Sequence, residues 1–307
     1  VRAAGLALGY AADLIFGDPR RWHPVSGFGK IARAAEHMMY ADTRRAGALF
    51  TTVLVGGTAG LGYAADRATR RHAVLNTAVT AVATWAVLGG RSLGYEARTL
   101  DDQLRRGDLA AARAQVTHLV GRDPSVLDAG GIARATVESV AENTSDAVVA
   151  PLVWGALLGP AGLLGYRAAN TLDARVGHRT PRLERFGWAS ARFDDVLNLA
   201  PARLSALLAA GLGDDARAAL RVWRRDAHKH PSPNAGPVES AFAGALGVTL
   251  GGVNVYHGRV ENRGTLGDGP HPVPADIGRA ARLAAKVGAG ALGAATVLAL
   301  AVDPRGR

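Results

Sequence analysis

The sequence predicts an all-α fold: a polytopic membrane helical bundle with broken or re-entrant helices and a cytoplasmic-side polar helical layer. Three observations predict it. Long runs carry no charge and are edged by arginine or lysine, proline and glycine interrupt several of them, and the segments between are dense in carboxylates and arginines. With 48% hydrophobic and 20% charged residues the chain is not a disordered one. The 307 residues are read as one membrane-embedded domain.

Residues 1–16 contain a short apolar stretch carrying Asp13, too short and interrupted for a signal peptide, and read as a membrane-embedded helix. Residues 46–65 are twenty without a charge, between Arg44-Arg45 and Asp66-Arg67. Residues 73–90 are eighteen more, between Arg70-Arg71 and Arg91. A hydrocarbon layer of about 30 Å takes roughly 20 apolar helical residues, so these two predict spans joined by a short turn. Residues 287–302 predict a last span after Lys286. Residues 147–166 are equally free of charge but hold Pro151 and Gly159-Pro160, which break helices. A single crossing there would put the carboxylates before and after it on opposite faces, where one reaction could not use both. A re-entrant pair of half-helices returns the chain to its starting side. The same is expected of 196–213, with Pro201 and Arg203, and of 236–255, with Glu239.

Glycines four apart at Gly56/Gly60, Gly155/Gly159 and Gly247/Gly251 predict close helix packing. Gly288-Ala-Gly290-Ala-Leu-Gly293 fits a dinucleotide fingerprint in letters only, since no strand precedes it. No P-loop and no H-E-x-x-H occur, and the absence of cysteine excludes thiolate chemistry, disulfides and Cys-ligated metals. All but three of the 36 basic residues are arginine, giving a net charge of +10. No basic helix interleaved with aromatics accompanies them, so nucleic acid is not the expected partner.

The polar segments 17–45, 121–146, 167–195 and 228–239 carry the candidate chemistry. Glu138, Glu142 and Asp146 recur at i, i+4 and i+8, stacking three carboxylates on one helix face that runs into an apolar stretch. Asn170 and Asp173 follow that stretch, and Asp194-Asp195-x-x-Asn198 comes next. Oxygen ligands in this density suit Mg²⁺, which is usually held by one or two carboxylates together with substrate phosphates. Arg167, Arg175, Arg179, Arg182, Arg185 and Arg192 are interleaved, and guanidinium forks match phosphate. For any one of these arginines a structural salt bridge is the alternative. Two Pro/Gly-rich loops, 17–30 and 230–239, open helices and could present backbone N–H groups to an anion or serve as rigid turns.

Taken together these segments resemble the adenosylcobinamide-phosphate synthase family of cobalamin biosynthesis (CobD/CbiB), over nearly the whole chain. The carriers are Gly17-Asp18-Pro19 with Trp22-His23-Pro24-Val25, Gly121-Arg122-Asp123, the block from Ala135 through Glu138, Glu142 and Asn143 to Asp146, Tyr166-Arg167-Ala-Ala-Asn170-Thr-Leu-Asp173, Phe193-Asp194-Asp195-Val-Leu-Asn198, and Ser232-Pro-Asn234-Ala-Gly236.

The resemblance implies a multi-pass enzyme of the bacterial inner membrane. Such an enzyme joins the free propionate carboxylate of adenosylcobyric acid, a corrinoid, to (R)-1-amino-2-propanol or its O-phosphate, consuming ATP with Mg²⁺. It implies membrane lipids and other late membrane enzymes of the pathway as partners. On this reading Glu142, Asp146, Asp173 and Asp195 hold Mg²⁺, while Arg167, Arg192 and Lys229 neutralise phosphates. Asn170, Asn234 and Asp18 complete the nucleotide site, Glu138 or His23 is the base for the ammonium, and Asp194 is a further catalytic carboxylate. Two other readings stay open: an intramembrane prenyltransferase-like enzyme with Asp-rich Mg²⁺-diphosphate sites, though no internal repeat is present, and a non-enzymatic membrane sensor of the AmpE type. Six Lys/Arg in 17–45 against three in 66–72 place the first loop, and with it the ATP chemistry, in the cytoplasm.

Overall fold

The computed structural model describes residues 1–18, 24–121, 123–178, 180–256 and 259–302. Its helices are α1 (Arg2–Phe16), α2 (Pro24–Met39), α3 (Arg44–Thr69), α4 (Ala73–Val87), α5 (Gly90–Arg105), α6 (Leu109–Val116) and α7 (Ala129–Thr144). There follow α8 (Ala150–Leu158), α9 (Pro160–Val176), α10 (Trp188–Leu212), α11 (Ala216–Asp226), α12 (Ala235–Leu246) and α13 (Pro274–Val302), with a hairpin of β1 (Leu250–Tyr256) and β2 (Arg259–Leu266) before the last. Among the described residues four helical stretches are long and apolar enough to cross a membrane: Arg44–Thr69, Ala73–Arg105, Trp188–Leu212 and Pro274–Val302. The chain is an all-α polytopic membrane protein. Val53, Leu61 and Tyr63 on α3 and Val297 and Leu300 on α13 are exposed, a surface suited to lipid.

The contacts divide into two compact units. One contains Val1–Gly89, Ala150–Asn198 and the chain from Leu292 onward. In it α3 packs along α9, and α1 along α4. Phe50, Leu172, Val176 and Phe186 form its core, with the Phe50 and Phe186 rings 5.0 Å apart. Gly5 and Gly9 lie against Thr80 and Thr84, so α1 approaches α4 more closely than any side chain there would permit. Thr43 caps α3 by accepting the Ala46 N–H at 3.2 Å.

The charge-free run 147–166 is broken at Gly159, whose φ of 63° is open to glycine and which lets Pro160 begin α9. At nine residues, α8 is about 13 Å long. It packs directly on α9, with Gly162 against the Trp154 carbonyl. Arg2 donates to the Ala156 and Leu157 carbonyls at 2.9 Å, placing a cation on the last turn of α8.

The break expected at Pro201 is absent, and α10 runs unbroken from Trp188 to Leu212. Proline removes the donor that would have satisfied the Leu197 carbonyl four residues back. The Trp154 indole supplies it instead, with Nε1 donating to that carbonyl at 3.0 Å. Trp154→Phe keeps the ring and removes the donor. It is expected to cost about 1–3 kcal/mol, read as a lower midpoint of thermal denaturation in detergent.

The other unit contains Gly90–Val149 and Leu199–Ala291. Asp108, Asp128 and Asp215 cap α6, α7 and α11 through backbone N–H groups at 2.7–3.0 Å. Helix α12 is buried along its whole length, and Gly244 lets α11 approach it. The membrane-embedded segment expected over 236–255 is corrected in its second half. Gly247, with φ 68°, ends α12, and from Leu250 the chain is a strand. β1 and β2 are antiparallel, with Leu250 opposite Leu266, both buried, and a bulge between Gly251 and Val253. The glycine spacings behave accordingly. Gly155 packs on Leu163 and Leu6, whereas among the described residues nothing lies near Gly56 or Gly60, and Gly247 and Gly251 serve a helix cap and a strand.

In this unit Asp226 is fully buried. It accepts from Arg225 at 2.6 and 2.8 Å, from Lys229 at 2.6 Å and from the Gly267 N–H at 2.9 Å. Burial alone would raise its carboxyl, but these donors outweigh burial and hold it well below the ordinary range. The stabilisation is therefore full above roughly pH 4 and lost as the pH falls. Asp226→Asn is expected to lower stability at pH 7 by about 1.5–3 kcal/mol and to flatten the acid limb of a stability–pH curve.

Candidate functional site

Helix α9 presents Tyr166, Arg167, Asn170 and Asp173, the last three at three-residue spacing that keeps them on one side. The first turns of α10 present Asp194, Asp195 and Asn198. The two rows meet. The Tyr166 hydroxyl donates to Asn198 Oδ1 at 2.8 Å, and Asn198 Nδ2 donates to Asp194 Oδ2 at 3.0 Å. Asn170 hydrogen-bonds the Asp194 carboxyl, and the charges of Asp173 and Asp195 act on it. Arg167 Nη1 donates to Asn170 Oδ1 at 3.4 Å, and Arg192, exposed at the rim, lies 3.6 Å from Asp195.

Two atoms of this cluster are buried without a hydrogen-bond partner: Asp194 Oδ1, an acceptor, and Arg167 Nε, a donor. Buried polar groups are almost always satisfied, so one of each sign on neighbouring helices is an arrangement that water or a polar ligand completes. Gly177 supports it. A Cβ there would collide with the Asp173 carboxylate, so only glycine leaves that carboxylate in position. Neither Gly177 nor Trp154, whose indole holds α10 at Leu197, stood out in the sequence. Their roles depend on atoms of other turns.

The remaining expected residues are placed as follows. Glu138, buried on α7, accepts the Gly251 N–H at 2.7 Å while Arg134 donates to the Gly251 carbonyl at 3.0 Å, so the pair grips both sides of one strand residue. Glu142 and Asn143 are half-buried further along α7, and Asn143 donates to the Ser139 carbonyl at 2.9 Å. Asp146 sits in a π-helical turn, Ser145–Val149, where the helix is over-wide by one residue. Asn234 accepts from Arg203 at 3.0 Å. Lys229 is committed to Asp226. Asp18 is half-buried just beyond α1, and His23 lies outside the described residues.

Among the interleaved arginines, Arg175 and Arg182 clamp buried Glu36 at 3.1 and 2.8 Å, and Arg185 stands 3.7 Å from Asp42. Arg179 lies outside the described residues. The loop before α12 is partly self-satisfied, because Ser232 Oγ accepts from the Asn234 and Ala235 N–H groups at 3.3 and 3.1 Å. His230, buried there, has its imidazole pushed down to about 4 by burial and by Arg263. Its Nδ1 accepts the Ser232 N–H at 3.0 Å, which leaves the proton on Nε2.

Among the described residues no three His, Asp or Glu side chains are gathered so as to hold a metal ion on their own.

A family model described as CobD/CbiB protein matches residues 6–284. The cobalamin biosynthesis protein CobD of Mycobacterium tuberculosis (strain H37Rv) is 50% identical over 301 residues, covering 97% of this chain and 96% of the relative. The proteins of that name from Chromobacterium violaceum and Rhodobacter capsulatus are 46% and 43% identical, covering 91% and 94% of this chain and 90% and 94% of the relatives. No solved structure gives a significant match.

Proposed function

The chain belongs to the CobD/CbiB family of cobalamin biosynthesis, and from that premise we propose that it is the ATP- and Mg²⁺-dependent ligase forming adenosylcobinamide phosphate. The reaction joins the carboxylate of adenosylcobyric acid to the amine of (R)-1-amino-2-propanol O-phosphate. A carboxylate is inert toward amines in water. In the proposed route its oxygen attacks the γ-phosphorus of ATP, releasing ADP. The amine then attacks the acyl carbon, phosphate leaves, and the amine's extra proton passes to a base.

The observation that carries this reading is the α9/α10 cluster, with its buried Arg167 Nε and Asp194 Oδ1 lacking partners. Arg167 would neutralise phosphate oxygens, and Arg192 would do so from the rim. Asp173, Asp194 and Asp195 would provide oxygens for Mg²⁺, which supplies charge neutralisation between phosphates. Asn170 and Asn198 hold the Asp194 carboxyl in place. Glu142 and Asp146 keep the role of oxygen ligands that the family resemblance implies for them. Glu138 has an occupied oxygen, so Glu138→Gln separates a base from a strand clamp by its pH–rate profile. The arginine asymmetry of the loops supports an inner-membrane protein with this chemistry facing the cytoplasm.

The test uses the purified full chain in detergent or nanodiscs with adenosylcobyric acid, aminopropanol phosphate, ATP and Mg²⁺. A product of the amide mass, formed in step with ADP, is expected. No ATP-dependent amide across several lipid compositions overturns the proposal.

A further inference from the structure

Helix α11 lies just past the end of one candidate span and beside the start of another. Lys286 donates to the Leu212 carbonyl, the last residue of α10, at 3.3 Å. The charge-free part of α13 begins at the next residue, and Gly290 packs on Leu208 and Leu212. The end of one apolar stretch and the start of the other thus meet at one level, as expected at a membrane edge. Asp215, three residues beyond Leu212, caps α11.

That helix is strongly two-faced, and it corrects the expectation that no basic helix interleaved with an aromatic is present. Ala219, Val222 and Asp226 are buried against the unit, while Arg217, Arg221 and Arg224 recur at i, i+4 and i+7 on the exposed side. With Leu220 and Arg225 they line an open groove of about 500 Å³. Arg225 is neutralised by Asp226 and Asp268. Among the described residues, no carboxylate pairs with the other three. Half-buried Trp223 flanks the row, the residue type that favours the membrane–water boundary.

We propose that the Arg217/Arg221/Arg224 face of α11 is a binding site for the phosphate headgroups of anionic phospholipids. Uncompensated guanidiniums at the end of two spans sit where lipid phosphates are concentrated, and the fork geometry matches phosphate oxygens. Leu220, in the same groove, gives the upper acyl chain an apolar contact. The site rests on the chain's membrane character and not on the ligase reading, and its readout is lipid retention rather than turnover.

The experiment compares phosphatidylglycerol with phosphatidylcholine by native mass spectrometry of the full chain in detergent. Selective retention of phosphatidylglycerol is expected. The Arg217→Gln/Arg221→Gln/Arg224→Gln variant should lose roughly fivefold in apparent affinity per arginine, on the order of a hundredfold in all. The corresponding triple lysine variant should keep most of the binding. Where the triple glutamine variant does not fold, Arg221→Gln alone should show the single fivefold step. Unchanged phosphatidylglycerol retention in the glutamine variants overturns the proposal. So does displacement of the lipid by ATP or inorganic phosphate at equal phosphate concentration, which would make the groove a site for soluble phosphates.

Discussion

Asp194→Asn is expected to lower ATP-dependent amide formation at least a hundredfold while leaving the protein as stable as before or more so. The two effects come from one cause. Asp194 is buried, and the carboxylates of Asp173 and Asp195 act on it. Like charges gathered in a place of low polarity repel, so removing one relieves the fold. The asparagine oxygen can still accept from Asn198 Nδ2, and the tie to Asn170 is retained in kind. What is lost is a negative oxygen that a metal–phosphate complex needs, and losing one preorganised group of this kind typically costs 10²–10³ in rate. Asp173→Asn should match it in rate. The double variant should fall little further than either single, because residues acting as a unit are not additive. The checks are initial rates at saturating ATP and Mg²⁺ beside the midpoint of thermal denaturation. Variants that keep more than a tenth of the turnover with unchanged Mg²⁺ dependence would move the chemistry away from α9 and α10.

The parts of this site that were legible in the sequence are those set by local spacing. Asn170 and Asp173 fall on one helical side by arithmetic alone, and the Gly159-Pro160 break follows from the chemistry of those two residues. The charge-free run 46–65 lies in α3 for the same reason, and residues 73–87 of the second run form α4, which ends before Leu88 and Gly89. What was not legible depends on partners distant in the chain. Pro201 is expected to break a helix, and α10 continues because an indole 43 residues upstream of Leu197 replaces the missing donor. Glu138 reads as one of three stacked carboxylates, yet one of its oxygens is taken by a backbone N–H 113 residues away. Residues 250–256 are glycine-rich and apolar enough to pass for a membrane segment, and pairing with 259–266 makes them a strand. Gly56 and Gly60 have the spacing of a helix contact, but spacing does not say which side of α3 meets α9.

Arg167 is where local and distant effects combine, and its variants should separate charge from geometry. Arg167→Lys keeps the cation and loses the planar fork, so it should raise the KM for ATP about tenfold with kcat largely retained. Arg167→Gln removes the cation and should lower kcat/KM by at least a hundredfold, with most of the loss in kcat if the charge acts on the transferring phosphate. The fork has one nitrogen on Asn170 and its Nε unpartnered, so it is oriented by a neighbour and still able to donate. Asn170→Ala should therefore reproduce part of the lysine phenotype, a higher KM for ATP, while the guanidinium charge stays in place. A merely structural arginine would behave differently. Lysine and glutamine would then shift thermal stability alike and leave the KM for ATP unmoved, which initial-rate measurements across ATP concentration would detect directly.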